Sequence, residues 1–200
     1  MSDHRPFAAP GLRVGLLGGS FDPPHAGHLH ISRIALNRLR LDRVWWLVSP
    51  GNPLKPDAPA SLERRLDAAH AVIGGRPRIE PTGIERALGT VYTVDTIRAL
   101  RALHPAARFV WLMGADNLAQ LHRWRRWAEI VRTLPICVMA RPGQQLRAGL
   151  SVAARRFASA RLPERAAAAL PFRDPPCWTI LTHPTSPQSS TAIRASGAWT

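Results

Sequence analysis

Residues 12–48 read LRVGLLGGSFDPPHAGHLHISRIALNRLRLDRVWWLV, and the pattern changes inside this stretch decide the fold. Residues 12–17 (LRVGLL) are short, apolar and followed by glycines, which predicts a buried strand. From Gly27 to about Arg40 the apolar residues Leu29, Ile31, Ile34, Ala35, Leu36 and Leu39 recur at helical spacing. Residues 43–48 (RVWWLV) then read as a second strand. A strand, a glycine-rich loop, a helix and another strand make the repeating unit of a parallel sheet.

The alternation continues outward. Residues 61–75 (SLERRLDAAHAVIGG) predict a helix capped by Ser61 and stopped at Gly74. A weaker strand covers 78–85. A helix over 93–104 (TVDTIRALRALH) is closed by Pro105, and a strand follows at 108–113 (RFVWLM). Short helices occupy 117–132, and 135–140 (PICVMA) is another buried strand. Residues 144–169, rich in alanine and arginine, read as helical but loosely specified. The last strand is 177–182 (CWTILT), followed by a Pro/Ser loop and SSTAIRASGAWT. The reading is an α/β chain: a Rossmann-like, doubly wound, mainly parallel sheet with helices on both faces. In such sheets ligands lie beyond the carboxyl ends of the strands, where the strand order switches.

The 200 residues suit one domain over 11–200, with 1–10 a disordered tail. The start, MSDHRPFAAP, lacks the charged-then-apolar pattern of a signal peptide, and no apolar run has membrane-spanning length, so a cytoplasmic protein with no membrane partner is expected. Cys137 and Cys177 form no C-x-x-C motif and read as reduced, buried thiols. The net charge of +14 raises nucleic acid as a partner. However, the basic residues are spread along the chain, the richest cluster being HRWRRW at 122–127, so polynucleotide binding is disfavoured. Among 27 basic residues there is a single lysine, Lys55, in SPGNPLKP. Lysine supplies a compact mobile charge that the arginine fork does not imitate, which makes Lys55 a candidate site residue.

The chemistry gathers in the loops after the strands. In GGSFDPPHAGH (residues 18–28), Gly18 and Gly19 let backbone approach a ligand, and Pro23 and Pro24 fix the path into the helix. A plain turn does not need His25 and His28. At a helix N-terminus, where free N–H groups and the helix dipole favour phosphate, two imidazoles add hydrogen-bond donors. An H-x-x-H pair with no third ligand nearby is a poor zinc site, so no protein-held metal is assigned. Near the other end, Ser189, Ser190 and Thr191 lead into Arg194 one turn later, a second anion-binding feature that also reads as ordinary capping by Ser190.

GGSFDPPHAGH followed by SSTAIR resembles the H-x-G-H nucleotidyltransferase superfamily. GNPLKP (51–56), VYTVDT (91–96), GADNL (114–118), LHRW (121–124) and VMARPG (138–143) resemble the bacterial nicotinate-nucleotide adenylyltransferases within it. The resemblance spans about 11–195. It implies transfer of the adenylyl group of ATP to nicotinate mononucleotide, a step of NAD biosynthesis, with Mg2+ carried by the ATP phosphates. It also implies roles. His25, His28 and Arg194 are the catalytic set. Gly18, Gly19, Ser20 and Phe21 line the nucleotide, and Ser189, Ser190 and Thr191 grip phosphates with Arg194. Lys55, Tyr92, Thr93, Asp116 and Trp124 bind substrate, with Trp124 stacking on the pyridine ring and the Tyr92–Thr93 backbone receiving its carboxylate. Trp124 also reads as core, Tyr92 as structural and Asp116 as a helix cap. Chains of the family continue past the SSTAIR-type motif into a further helix, whereas this one stops at Thr200; a homo-oligomer is compatible with the sequence. Other readings are a superfamily member using nicotinamide mononucleotide or phosphopantetheine, and a basic nucleic-acid-binding module. A class I aminoacyl-tRNA synthetase also has the H-x-G-H element but needs a longer chain and a lysine-rich second signature.

Overall fold

The computed structural model describes residues 6–51, 59–183, 190–197 and 199. Within them six strands form one all-parallel sheet: β1 (Arg13–Gly19), β2 (Arg43–Val48), β3 (Ile79–Thr82), β4 (Arg108–Gly114), β5 (Ile136–Ala140) and β6 (Trp178–Thr182), in the order β3-β2-β1-β4-β5-β6. The order reverses between β1 and β4, which pair directly, Leu16 beside Trp111 and Leu17 beside Leu112. The carboxyl ends of those two strands therefore mark the switch point.

The central strands are apolar on both sides because each side of the sheet carries its own core. On one side Val14, Leu16, Trp45, Leu47, Phe109 and Trp111 pack against α4 (Thr93–Leu103), α5 (Ala115–Gln120) and α6 (Trp127–Thr133). On the other, Leu17, Val44, Trp46, Val110 and Leu112 pack against α1 (Ala26–Arg38) and α2 (Leu62–Ile73). The doubly wound expectation holds. Cys137 and Cys177 are free and buried. No helix among the described residues is long and apolar enough to cross a membrane.

Three expectations shift. The strand read at 78–85 ends at Thr82, whose hydroxyl accepts the Ile84 N–H at 3.1 Å and starts the short helix α3 (Ile84–Ala87). The 144–169 stretch is no single helix. It breaks into α7 (Gln144–Gly149), α8 (Val152–Arg156) and 3-10 turns, with Ser151 capping α8 and Pro163 preceding the 3-10 segment Glu164–Phe172. Finally, the packed chain starts before Gly11: Ala8 is buried in the first core, and the Gly11 N–H donates to the Ala106 carbonyl at 2.8 Å.

Candidate active site

A cleft of roughly 1080 Å3 opens at the switch point, lined by the loops after β1, β4 and β5 and by the N-termini of α1, α4 and α5. Its floor begins at Gly18. A Cβ there would lie 2.6 Å from Cη2 of Trp111, whose buried ring fills the space a side chain would take.

The histidines of the first loop are built into the helix start. His25 is the N-cap of α1, and its Nδ1 accepts the Gly27 N–H at 3.1 Å. Nδ1 of His28 accepts the His25 N–H at 3.2 Å, closing a capping box made of two imidazoles. A nitrogen that accepts a hydrogen bond carries no proton, so both rings are neutral and protonated at Nε2. That leaves each Nε2–H to donate into the cleft, which both histidines line. Burial, followed by the nearby His25, pushes His28 from its ordinary 6.5 down to about 3. Burial, followed by the charge of Arg141, lowers His25 as well. The sequence suggested free backbone amides as anion donors at this terminus. The Gly27 amide is instead spent on the cap, and the imidazoles take over its donor role.

The rings are held from below. Phe21 takes a left-handed backbone conformation (φ 47°), turning its buried ring inward, where it stacks on Trp46 at 5.0 Å and touches the His28 ring at 4.7 Å. Phe21 thus supports the histidine more than it lines a nucleotide. Trp46 Nε1 donates to Ser32 Oγ at 2.8 Å, and Ser32 Oγ donates to the His28 carbonyl at 2.8 Å, pinning α1 to β2. Arg65, only 1% exposed, donates at 2.7 Å to the carbonyls of Ala60, Ser20 and Ser49 and so ties together the loops after β1 and β2. The sequence reading passed over Arg65. Its signal was an arginine on the buried stripe Leu62, Arg65, Ala69, Ile73 of α2, where the period calls for an apolar residue.

The second motif docks on the first. α9 (Ser190–Ala195) lies against the Asp22–Pro23 turn, with Ser190 Oγ donating to the Pro23 carbonyl at 2.9 Å and the Arg194 guanidinium donating to the Asp22 carbonyl. Trp199 Nε1 donates to Asp22 Oδ1 at 2.7 Å. Ser190 lines the cleft, while Thr191 and Arg194 are exposed beside it. Lys55 and Ser189 lie outside the described residues.

Across the cleft, Gly18, Gly19, Ser20, Tyr92, Thr93, Asp116 and Trp124 all line the same space. Tyr92 is the N-cap of α4 but offers no side-chain cap; the Asp95 N–H turns back to the Tyr92 carbonyl at 2.9 Å, which leaves the Thr93 and Val94 N–H groups their capacity for an anion. The Arg125 guanidinium lies 4.6 Å from the centre of the Tyr92 ring, adding a cation that the sequence reading did not single out. Trp124 both lines the cleft and packs against the core, whereas Trp127 turns away to meet Phe157 edge-on at 6.0 Å. Asp116 sits in the first turn of α5, not at its cap, which is Gly114; a Cβ on Gly114 would lie 2.4 Å from the Asp116 carboxylate. Among the described residues no group of three or more His, Cys, Asp or Glu side chains could hold a metal ion. With both Nδ1 atoms engaged, the histidine pair offers only its Nε2 atoms.

Residues 16–196 match the model of the cytidylyltransferase-like family. A Ruegeria pomeroyi protein is 54% identical over 194 residues, 97% of this chain and 91% of its own length. A Cereibacter sphaeroides protein is 60% identical over 186 residues, 93% of this chain and 98% of its own. Both carry the name "Probable nicotinate-nucleotide adenylyltransferase". The chain also superimposes on the Plasmodium falciparum nicotinic acid mononucleotide adenylyltransferase complexed with NaAD. That match has a TM-score of 0.70 at 16% identity and covers 92% of this chain and 83% of that one, a likeness of fold.

Proposed function

We propose that this chain, which belongs to the cytidylyltransferase-like family and within it to the nicotinate-nucleotide adenylyltransferases, transfers the adenylyl group of ATP to nicotinate mononucleotide. The observation that carries the reading is the imidazole capping box at the switch point, two neutral rings that line the cleft with their Nε2–H groups not used in the cap. The products are nicotinate adenine dinucleotide and pyrophosphate. A 5′-phosphate oxygen of the mononucleotide forms a bond to the α-phosphorus of ATP as the bond to the bridging β-phosphate oxygen breaks. The nucleophile and the leaving group are both already anionic, so no residue has to remove a proton. Catalysis rests on alignment and on donors fixed before the reaction.

In this reading His25 and His28 donate Nε2–H to ATP phosphate oxygens. Because they are neutral, they stabilise negative charge as it develops without binding ground-state phosphate as tightly as a cation would. Ser190, whose hydroxyl proton goes to the Pro23 carbonyl, seats the second motif, Arg194 with Ser189 and Thr191 holds the departing pyrophosphate, and Lys55 meets substrate phosphate. Magnesium bound to the triphosphate would offset its charge. At the other end Trp124 stacks on the pyridine ring, the uncapped start of α4 at Tyr92–Thr93 receives the ring carboxylate, and Asp116 bonds the ribose. The carboxylate gains charge-assisted hydrogen bonds that an amide lacks.

The test is pyrophosphate release from ATP and magnesium with nicotinate mononucleotide, nicotinamide mononucleotide and phosphopantetheine compared side by side. Preference for the nicotinate acceptor is the expected result. Preference for another acceptor keeps the phosphate chemistry and removes the roles given to Tyr92, Thr93 and Trp124. No release with any acceptor overturns the reading.

A further inference from the structure

The cleft also contains an acid that the adenylyl transfer does not use. Glu85, in α3, lines the cleft yet is only 6% exposed. Its Oε1 lies 2.9 Å from Oγ1 of fully buried Thr96, and that hydroxyl is 3.4 Å from the Tyr92 carbonyl and 2.9 Å from Thr90 Oγ1. The Thr90 N–H closes the arrangement by donating to the Glu85 carbonyl at 2.9 Å. The Glu85 carboxyl is thereby tied to the first turn of α4, the uncapped helix start assigned above to the acceptor's carboxylate.

Two carboxylates at one helix terminus compete for the same partial positive charge and repel each other, the more so because Glu85 is buried. We propose that Glu85 is a specificity-determining residue: as a neutral acid it admits an anionic ring carboxylate at the start of α4, and as a carboxylate it excludes that group while tolerating an amide. The inference rests on the proposed function. Burial pushes Glu85 up to about 7, with the Thr96 hydrogen bond pulling the other way. The neighbouring charges leave this acid to itself. On α3, Arg86 pairs with Glu63 of α2; on α4, Arg98 pairs with Glu129 of α6 and, at longer range, with Asp95; on β3, Glu80 pairs with Arg43 of β2. Arg65 of α2 is spent on carbonyls. Tyr92, Asp116, Arg123, Arg125 and Arg141 also line the cleft, together with His25, His28 and His183.

The experiment measures kcat/KM for nicotinate and nicotinamide mononucleotides with ATP from pH 6 to pH 8.5, and the binding of each mononucleotide by calorimetry over the same range. Titration of the 5′-phosphate and of groups distant from the ring acts on both acceptors and cancels in their ratio. The acid-over-amide ratio is expected to fall about tenfold or more across the range, following the free enzyme's acid. Glu85→Gln, which keeps an acceptor for the Thr96 hydroxyl but cannot ionise, is expected to flatten it. A residue that only holds α3 to α4 would shift both acceptors together and give no pH slope. A wild-type ratio that does not change with pH, or a Glu85→Gln enzyme with the wild-type slope, overturns the inference. If Glu85→Gln does not fold, the wild-type ratio decides alone. Absence of turnover with either mononucleotide defeats the proposed function instead, and the calorimetric pH dependence then decides the inference independently.

Discussion

Lowering the pH should destabilise the protein through His28 by an amount that the capping box determines. The native state holds this ring neutral, since its Nδ1 accepts the His25 N–H and its surroundings are dry. In the unfolded chain the ring takes its ordinary value of 6.5, against about 3 when folded. The folded value is the depressed one, so the stability is fully present above pH 6.5 and is lost as pH falls toward 3. Moving from pH 7 to pH 5 lets the unfolded chain bind a proton that the native state refuses, a loss of about 2 kcal/mol. Glu85 acts with the opposite sign. Its folded value is raised from 4.5 to about 7, so its contribution is present below pH 4.5 and lost as pH rises to about 7. The two effects oppose each other in the wild type, and the raw stability curve hides both. His28→Asn separates them, because an amide oxygen can replace Nδ1 in the cap without titrating. Urea unfolding of both proteins at pH 7 and pH 5 gives two differences in stability. The wild-type advantage at pH 7 should shrink by about 2 kcal/mol at pH 5. An advantage equal at the two pH values would mean that the ring is not held neutral, and the Nε2–H assignment would fall with it.

The same His28→Asn protein should stay folded by circular dichroism yet lose kcat for pyrophosphate release by about two to three orders of magnitude, the usual cost of removing one preorganised donor; turnover within a few-fold of wild type would remove His28 from the chemistry. Gly18→Ala forces a methyl group against the buried Trp111 ring and should cost about 1–3 kcal/mol in chemical unfolding, and an unchanged midpoint would show that the ring moves aside freely. Trp124→Ala should raise KM for the mononucleotide about tenfold or more with little change in KM for ATP, in line with base–aromatic stacking of about 1–3 kcal/mol; equal effects on both substrates would place Trp124 in the core rather than at the ring.

The sheet was legible because its central strands are apolar on both sides and separated by helical periods, a pattern that only a sandwiched parallel sheet explains. The end of β3 and the 144–169 stretch were not legible, and the reasons differ. Thr82 starts a helix with a side-chain oxygen, a competition with the strand that apolar periodicity does not record. In 144–169 alanine supports any helical turn equally, so the breaks fall where Ser151 and Pro163 allow them. The site divides the same way. His25 and His28 stood out as titratable residues where a turn needs none. Glu85 did not stand out, because an acid is unremarkable in sequence and becomes informative only once it is buried, whereas Arg65 left a trace in its place on the apolar stripe of α2.

The two anion sites of the cleft use one physical resource in opposite ways. At α1 the helix start is capped by its own imidazoles, which spend two backbone donors and return two ring donors placed farther into the cleft. Held by their Nδ1 bonds, the ring donors are fixed before the reaction, and being neutral they hold the ground state only modestly. At α4 the helix start is left without a side-chain cap, so its backbone donors stay fixed for a planar carboxylate that does not change during the reaction. The reacting end therefore carries side-chain donors and the recognition end carries backbone donors. Arg65 links the floors of the β1 and β2 loops, and the Ser190 and Arg194 bonds to the Pro23 and Asp22 carbonyls, 167 and 172 residues away in sequence, fix the reacting end from above. Among the described residues Arg125 is held over Tyr92 by a ring contact rather than by hydrogen bonds of this kind. Substrate-dependent adjustment is therefore expected at the acceptor end, while the histidine loop keeps its geometry.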